Sequence, residues 1–251
     1  MGDKLAFLDM EFGHIHGTKK LIYFPIELGI VVYDPHADKI TETISKHFSK
    51  DIEVEKWRNN TNEMMMTIQP SLVEVANLHR KRYNIEYNKN RMVEMEEIPD
   101  LLNLAGSVYN ELGVVLRSVA STYDIRHCFV YGGKTDILCI RRSGYQGDKS
   151  IIIDVQDTIK RMMKMDKRLS LDRTCFALNV QLKSDEIASD HFRYELPENK
   201  KGKLKAHNAI GDASRIFLAY KELERSDKEV KNKIQQYFRQ CREYTEQQND
   251  V

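Results

Sequence analysis

Asp9 and Glu11 stand one residue apart inside an apolar run, Leu5-Ala6-Phe7-Leu8-Asp9-Met10-Glu11-Phe12. A strand turns successive side chains to opposite faces, so the two carboxylates point the same way, with Met10 and Phe12 suited to the other face. Charges on a core strand are costly to bury unless a partner offsets them, and a divalent cation held by hard carboxylate oxygens is such a partner. Two solvated acids at a sheet edge are the competing reading of the pair taken alone. Near the other end, His207-Asn208-Ala209-Ile210-Gly211-Asp212-Ala213 precedes Ile216, Phe217, Leu218 and Tyr220. This segment reads as a helix whose polar opening carries a histidine and an aspartate five residues apart, although by itself it would also suit a capped surface helix. Asp136 is the third point of interest, an isolated acid just after a mid-chain buried strand.

The elements that must position these residues follow from periodicity and chain breakers. Residues 4–12 and 21–33 read as two strands of a hairpin joined by the Gly13 to Lys20 loop, Asp34-Pro35 ends the second, and a third strand follows at 39–44. From about residue 50 to 98 the chain turns polar, with Asn59-Asn60, Met64-Met65-Met66, and Pro70 opening a helix over 71–83. No Gly or Ser linker flanks this stretch, so residues 45–98 read as a helical and loop insertion laid against the sheet. Pro99 opens a helix over 99–122, in which Leu101, Leu102, Ala105, Val108, Leu112, Val115, Leu116 and Val119 recur at helical spacing. Cys128-Phe129-Val130-Tyr131 is a buried strand, and Gly132-Gly133-Lys134-Thr135 leads into a helix with Thr135 or Asp136 as its cap. A short strand at 151–155 and helices near 156–166 and 170–180 complete the middle of the chain. Strands cluster early and helices separate the later ones, which predicts an α/β class with a mixed sheet flanked by helices over residues 1–222. Residues 223–251 read as a charged helix with Val230, Ile234, Tyr237, Phe238 and Cys241 on one side, docked on the domain by default.

Composition sets the outer limits. A length of 251 residues suits one large domain or a domain with an insertion. Charged residues make up 31%, yet the signs nearly cancel at +1, so contacts to a polyanion would have to come from local basic patches. No apolar run approaches the roughly 20 residues of a membrane span. The N-terminus also lacks the order of a signal peptide, so a soluble, cytoplasmic protein without a membrane partner is expected. Cys128, Cys139, Cys175 and Cys241 show no CxxC spacing and suit reduced core thiols better than disulfides or a zinc site.

Taken together, Asp9-Met10-Glu11 on the first strand, Glu27-Leu28-Gly29 on the second, a mid-chain aspartate and His207 to Asp212 resemble the DEDDh 3′-to-5′ exonucleases. That superfamily includes proofreading subunits, oligoribonuclease, ribonuclease T and the Eri-type RNA exonucleases. The resemblance covers the order of elements from residue 5 to about 222, excluding much of 45–98. It implies a ribonuclease H-like fold and two divalent cations, Mg²⁺ or Mn²⁺, working on a phosphodiester from positions roughly 3.5 to 4 Å apart. By resemblance, Asp9 bridges both ions, Glu11 and Asp212 hold the ion that carries the attacking water, and Asp136 holds the second. His207 takes the proton from that water, a role suited to a side chain with a pKa near working pH. Asp136 is the best match for the second motif, although Gly132-Gly133-Lys134-Thr135 replace the commoner His-Asn pair and aromatic, and Asp124 and Asp154 are the substitutes.

The resemblance also implies the partner, the 3′ end of single-stranded RNA or DNA. The family places the terminal nucleotide near Phe12 and the loop Gly13-His14-Ile15-His16-Gly17, where Phe12 or Ile15 would stack on the last base and His14 would contact substrate. Lys205, at the end of the run Lys200-Lys201-Lys203-Lys205, and Asn208 are the further candidate contacts. Arg141-Arg142 and the cluster from Lys160 to Arg168 read as solvated faces. The oligomeric state is left open, a homodimer among the options. Two other readings stand beside the exonuclease: a catalytically silent nucleic-acid-binding or scaffolding member of the fold, and a hydrolase of sugar phosphates or dinucleotides.

Overall fold

The computed structural model describes residues 4–15, 22–48, 98–145, 151–166, 168–183, 186–196, 204 and 208–249. Strands β1 (Lys4–Ile15), β2 (Ile22–Asp34) and β3 (Lys39–His47) form an antiparallel meander. After helix α1 (Ile98–Tyr123) the chain enters β4 (Ile125–Val130), which runs parallel to β1. After α2 (Lys134–Arg142) it enters β5 (Ile151–Asp154), parallel to β4. The order β3-β2-β1-β4-β5 puts β1 at the centre of a mixed sheet, as the expected α/β class requires. Helices α3 (Val155–Met163) and α4 (Leu171–Ala177) lead to a second sheet of β6 (Gln181–Leu182), β7 (Glu186–Ala188) and β8 (Arg193–Glu195). Helices α5 (Ala209–Arg225) and α6 (Asp227–Asn249) end the described chain.

Strand β1 is covered on both faces, which is why its sequence reads as a nearly unbroken apolar run. Leu5 and Phe7 pack with Val31, Tyr33 and Phe129 of the sheet against Ile216 and Phe217 of α5. Phe7 stacks on Phe129 with ring centroids 4.9 Å apart and meets Phe217 edge-on at 5.1 Å. Ala6, Leu8 and Met10 turn to the opposite layer, against Leu112 and Leu116 of α1 and Cys139 and Ile140 of α2. Helix α6 docks on the α5 side through the buried Val230, Ile234 and Tyr237, so its apolar stripe is covered by its own chain.

Several boundaries differ from the sequence reading. Strand β1 runs on to Ile15, β3 to His47, and β4 begins at Ile125. Helix α2 opens at Lys134 with Gly133 as a cap that lends no side chain, so Asp136 lies inside the first turn and neither it nor Thr135 is the cap. The helix expected over 170–180 stops at Ala177. The sheet β6–β8 has no counterpart in the sequence reading, because strands of two or three residues carry no alternation to detect. Glu222 of α5, 1% exposed, ties that sheet down by accepting from Ser189 Oγ at 2.7 Å and His191 N at 3.2 Å. The helix expected at 71–83, with the rest of 49–97, lies outside the described residues. No described helix is long and apolar enough to cross a membrane. The four cysteines are free thiols, and burial pushes Cys128 and Cys139 up to about 12 and Cys175 up to about 11.

Candidate metal centre

Asp9 and Glu11 continue the row of Leu5 and Phe7 along β1, and so face the layer that contains α5. Across the hairpin Asp9 pairs with Gly29 and Glu11 with Glu27. A Cβ on Gly29 would lie 2.2 Å from the Ala209 carbonyl carbon and 2.3 Å from the Ile210 nitrogen. The bare backbone of β2 therefore lets the first turn of α5 rest on the sheet beside Asp9. Asn208 caps that turn, its Oδ1 accepting from Gly211 N at 2.7 Å, and Asp212 falls within it. The outcome is that ligand oxygens of Asp9, Glu11 and Asp212 all lie within 4.8 Å of one another. Asp9 and Glu11 are half-buried and Asp212 is buried.

The hairpin loses its regular register just here. Glu11 stands opposite Glu27 but Phe12 stands opposite Pro25, which leaves Ile26 over as a bulge whose carbonyl accepts from Phe48 N at 2.9 Å. Such bulges bend a strand and re-aim the side chains beside them. Phe12, beyond the bulge, is half-buried against the α1 layer and meets Tyr23 edge-on at 6.4 Å.

A fourth acid approaches from the other neighbour of β1. Gly132 takes φ +65°, a left-handed conformation open to glycine, and its N–H donates to Asp154 Oδ1 at 2.9 Å. This turn starts α2 so that Asp136 is buried near Asp9, its carboxylate accepting from the Met10 backbone N–H. Asp136 stands outside the close triad, and its Oδ1 is buried with no hydrogen-bond partner among the described residues. The two substitutes for it are placed differently. Asp154 Oδ1 accepts from Gly132 N and from Gln156 N and Asp157 N, which makes it the cap of α3. Asp124 precedes Ile125, which pairs with Lys4 at the far end of β1, so at roughly 3.3 Å per residue it is well removed from Asp9.

Burial and neighbouring charge raise the proton affinity of Asp9 and Asp136. Burial, then the charges of Asp212, Asp136 and Glu11, hold the Asp9 carboxyl well above the usual carboxylate range, against an opposing pull from Arg215. Burial pushes Asp136 up to about 7 despite backbone N–H donors, with Asp154 adding to the rise. Glu27 is raised by burial as well, partly offset by His47 and the Ala209 N–H. Arg215, three residues after Asp212 and 1% exposed, donates from Nη1 to Asp212 Oδ1 at 2.7 Å and from Nη2 to Asp172 Oδ1 at 2.5 Å. The sequence reading passed over Arg215, and it used Glu27 as part of the Glu27-Leu28-Gly29 signature without giving it a place at the site. The signal for Arg215 was a cation set among Ile210, Ala213, Ile216 and Phe217, on a face too apolar to leave a lone charge.

Of the residues read from the sequence, the structure brings together Asp9, Glu11 and Asp212 and sets Asp136 beside them. Asn208 serves as a helix cap. The backbones of His14 and Ile15 close β1 opposite Tyr23 and Ile22. His207 and Lys205 lie outside the described residues. The triad can hold a metal ion, since its donors are hard oxygens converging from two elements, and the orphaned Asp136 Oδ1 is the buried acceptor a cation would satisfy. No protein-family model matches the chain, and no curated protein matches it.

Proposed function

We propose that this chain is a metal-dependent 3′-to-5′ exonuclease of the DEDDh type on a ribonuclease H-like fold, trimming single-stranded RNA or DNA to nucleoside 5′-monophosphates. The observation that carries the reading is the convergence of Asp9, Glu11 and Asp212 on the central strand and the helix above it. Two divalent cations, Mg²⁺ or Mn²⁺, supply charge neutralisation at the attacked and departing phosphate oxygens and a water nucleophile at neutral pH. Asp9, Glu11 and Asp212 would hold one ion, and Asp9 with Asp136 the second. In this scheme His207 takes the proton from the attacking water, His14 and Ile15 receive the terminal nucleotide, and Lys205 meets the backbone phosphate, while Phe12, packed toward α1, backs the strand instead of stacking on the base. Asn208 acts through the cap that keeps Asp212 in place. The strand order, with the acids on β1 between an antiparallel and a parallel neighbour, supports this placement of the site beside helix termini.

One observation favours a silent module instead. The Arg215 guanidinium already neutralises part of the acidic cluster without a metal ion. The two readings separate on a 5′-labelled single strand incubated with Mn²⁺, with and without chelator. Stepwise shortening from the 3′ end that chelator stops, and that Asp9→Asn lacks, supports the exonuclease. Strand binding without chelator-sensitive shortening supports the silent module, and activity confined to dinucleotides points to the hydrolase of small substrates.

A further inference from the structure

Arg215 is the bulkiest side chain buried completely among the described residues. Its two carboxylate partners come from different helices, Asp212 from the first turn of α5 and Asp172 from the first turn of α4. A cation serving only to neutralise the triad would need one partner. The second contact, at 2.5 Å to Asp172, fixes the guanidinium plane, so Nη1 meets Asp212 at Oδ1 at a set angle. A carboxylate engaged by a charge-assisted bond at Oδ1 is disposed to meet an ion through a single oxygen. Single-oxygen ligation suits Mg²⁺ and Mn²⁺, which keep a compact six-coordinate shell. Ca²⁺ takes six to eight oxygens and commonly draws on both atoms of a carboxylate.

We infer that Arg215, tethered by Asp172, sets the cation preference of the Asp9, Glu11 and Asp212 triad, holding Asp212 to one-oxygen ligation and so favouring Mn²⁺ and Mg²⁺ over Ca²⁺. Arg215 is thus a positioning residue, acting on the cation through Asp212. The inference rests on reading the triad as a cation site, and it is independent of whether the site cuts nucleic acid.

The test is Mn²⁺ binding followed by paramagnetic resonance of the free ion, with Ca²⁺ as competitor, on the full chain and on Arg215→Met and Asp172→Asn. The parent is expected to prefer Mn²⁺, and Arg215→Met to narrow that preference by about tenfold, the scale on which partners of metal ligands act. Asp172→Asn is expected to shift it the same way by less. A general loosening of the fold would weaken both ions in parallel. Parallel weakening or an unchanged preference in Arg215→Met overturns the inference, and if that variant does not fold, Asp172→Asn decides by the same criterion. A parent that binds Mn²⁺ and Ca²⁺ equally overturns the preference while leaving the site, and a parent that binds neither overturns the site itself. Failure of the exonuclease reading shows separately, in the labelled-strand assay.

Discussion

At the site, burial holds Asp136 as well as Asp9 above the usual carboxylate range. The Asp136 carboxyl sits at about 7 in the fold against an ordinary value of 3.8 because burial disfavours its charge. A raised value means that its contribution favours the fold at pH below the ordinary value and is lost as the pH rises through about 7. The metal-free protein should therefore lose thermal stability between about pH 4 and 7 more steeply than Asp136→Asn does. Because cations bind only the deprotonated carboxylates, Mn²⁺ should raise the melting temperature more at pH 8 than at pH 5. Calorimetry in chelator and in Mn²⁺ checks both; a metal-free variant as pH-dependent as the parent contradicts the role given to Asp136. At Asp9 the expectation is simpler. Asp9→Asn would remove the ligand that the proposed scheme gives to both ions, so Mn²⁺ affinity should fall by more than the tenfold typical of an outer partner, and chelator-sensitive strand shortening should vanish. The acids and their spacing were legible in the sequence because a strand's period of two is rigid. Arg215 was not, because its meaning depends on Asp172, which lies far from it along the chain and meets it only in the packed layer.

At the scale of elements, the site depends on how closely α5 approaches the hairpin. Gly29 sets that distance, since the nearest atoms to an added Cβ are the backbone of Ala209 and Ile210, which cannot swing aside like a side chain. Gly29→Ala should cost at least the ~1–3 kcal/mol of ordinary overpacking and should also weaken Mn²⁺ binding by moving Asp212 off Asp9. Gly106 of α1 is the matched control. Nothing lies within 4 Å of its added Cβ, so Gly106→Ala should stabilise the helix by about 0.5–1 kcal/mol and leave Mn²⁺ binding unchanged. Chemical denaturation with parallel metal titration reads both. Equal effects of the two substitutions would contradict the close approach. Asn208→Ala should cost about 1 kcal/mol through the lost cap. The Glu27-Leu28-Gly29 signature was visible in the sequence as a pattern, but its physical cause was not. Only the register, with Gly29 opposite Asp9 and under Ala209, supplies it.

For the whole molecule, the sequence reading found the long elements and also the short strand β5, and it missed the two- and three-residue strands β6–β8. Strands β1 and β2 and helix α1 announce themselves because their apolar periods run for ten residues or more. The sheet β6–β8 is held by contacts such as those of Glu222, distant in the chain, and its strands are too short to carry a period. The two-sided burial of β1 was implicit in its composition, and acids on such a strand need a partner; Arg215 is one, at Asp212, and the partner we propose for the triad is a metal ion that Asp9, Glu11 and Asp212 could hold. The most direct measurement is a crystal of the protein grown with Mn²⁺ and a nucleoside 5′-monophosphate, with diffraction collected at the manganese edge. An anomalous peak is expected about 2.1 Å from carboxylate oxygens of Asp9, Glu11 and Asp212, with the phosphate beside it. A triad without a peak, in a crystal soaked in millimolar Mn²⁺, would contradict the proposed metal site.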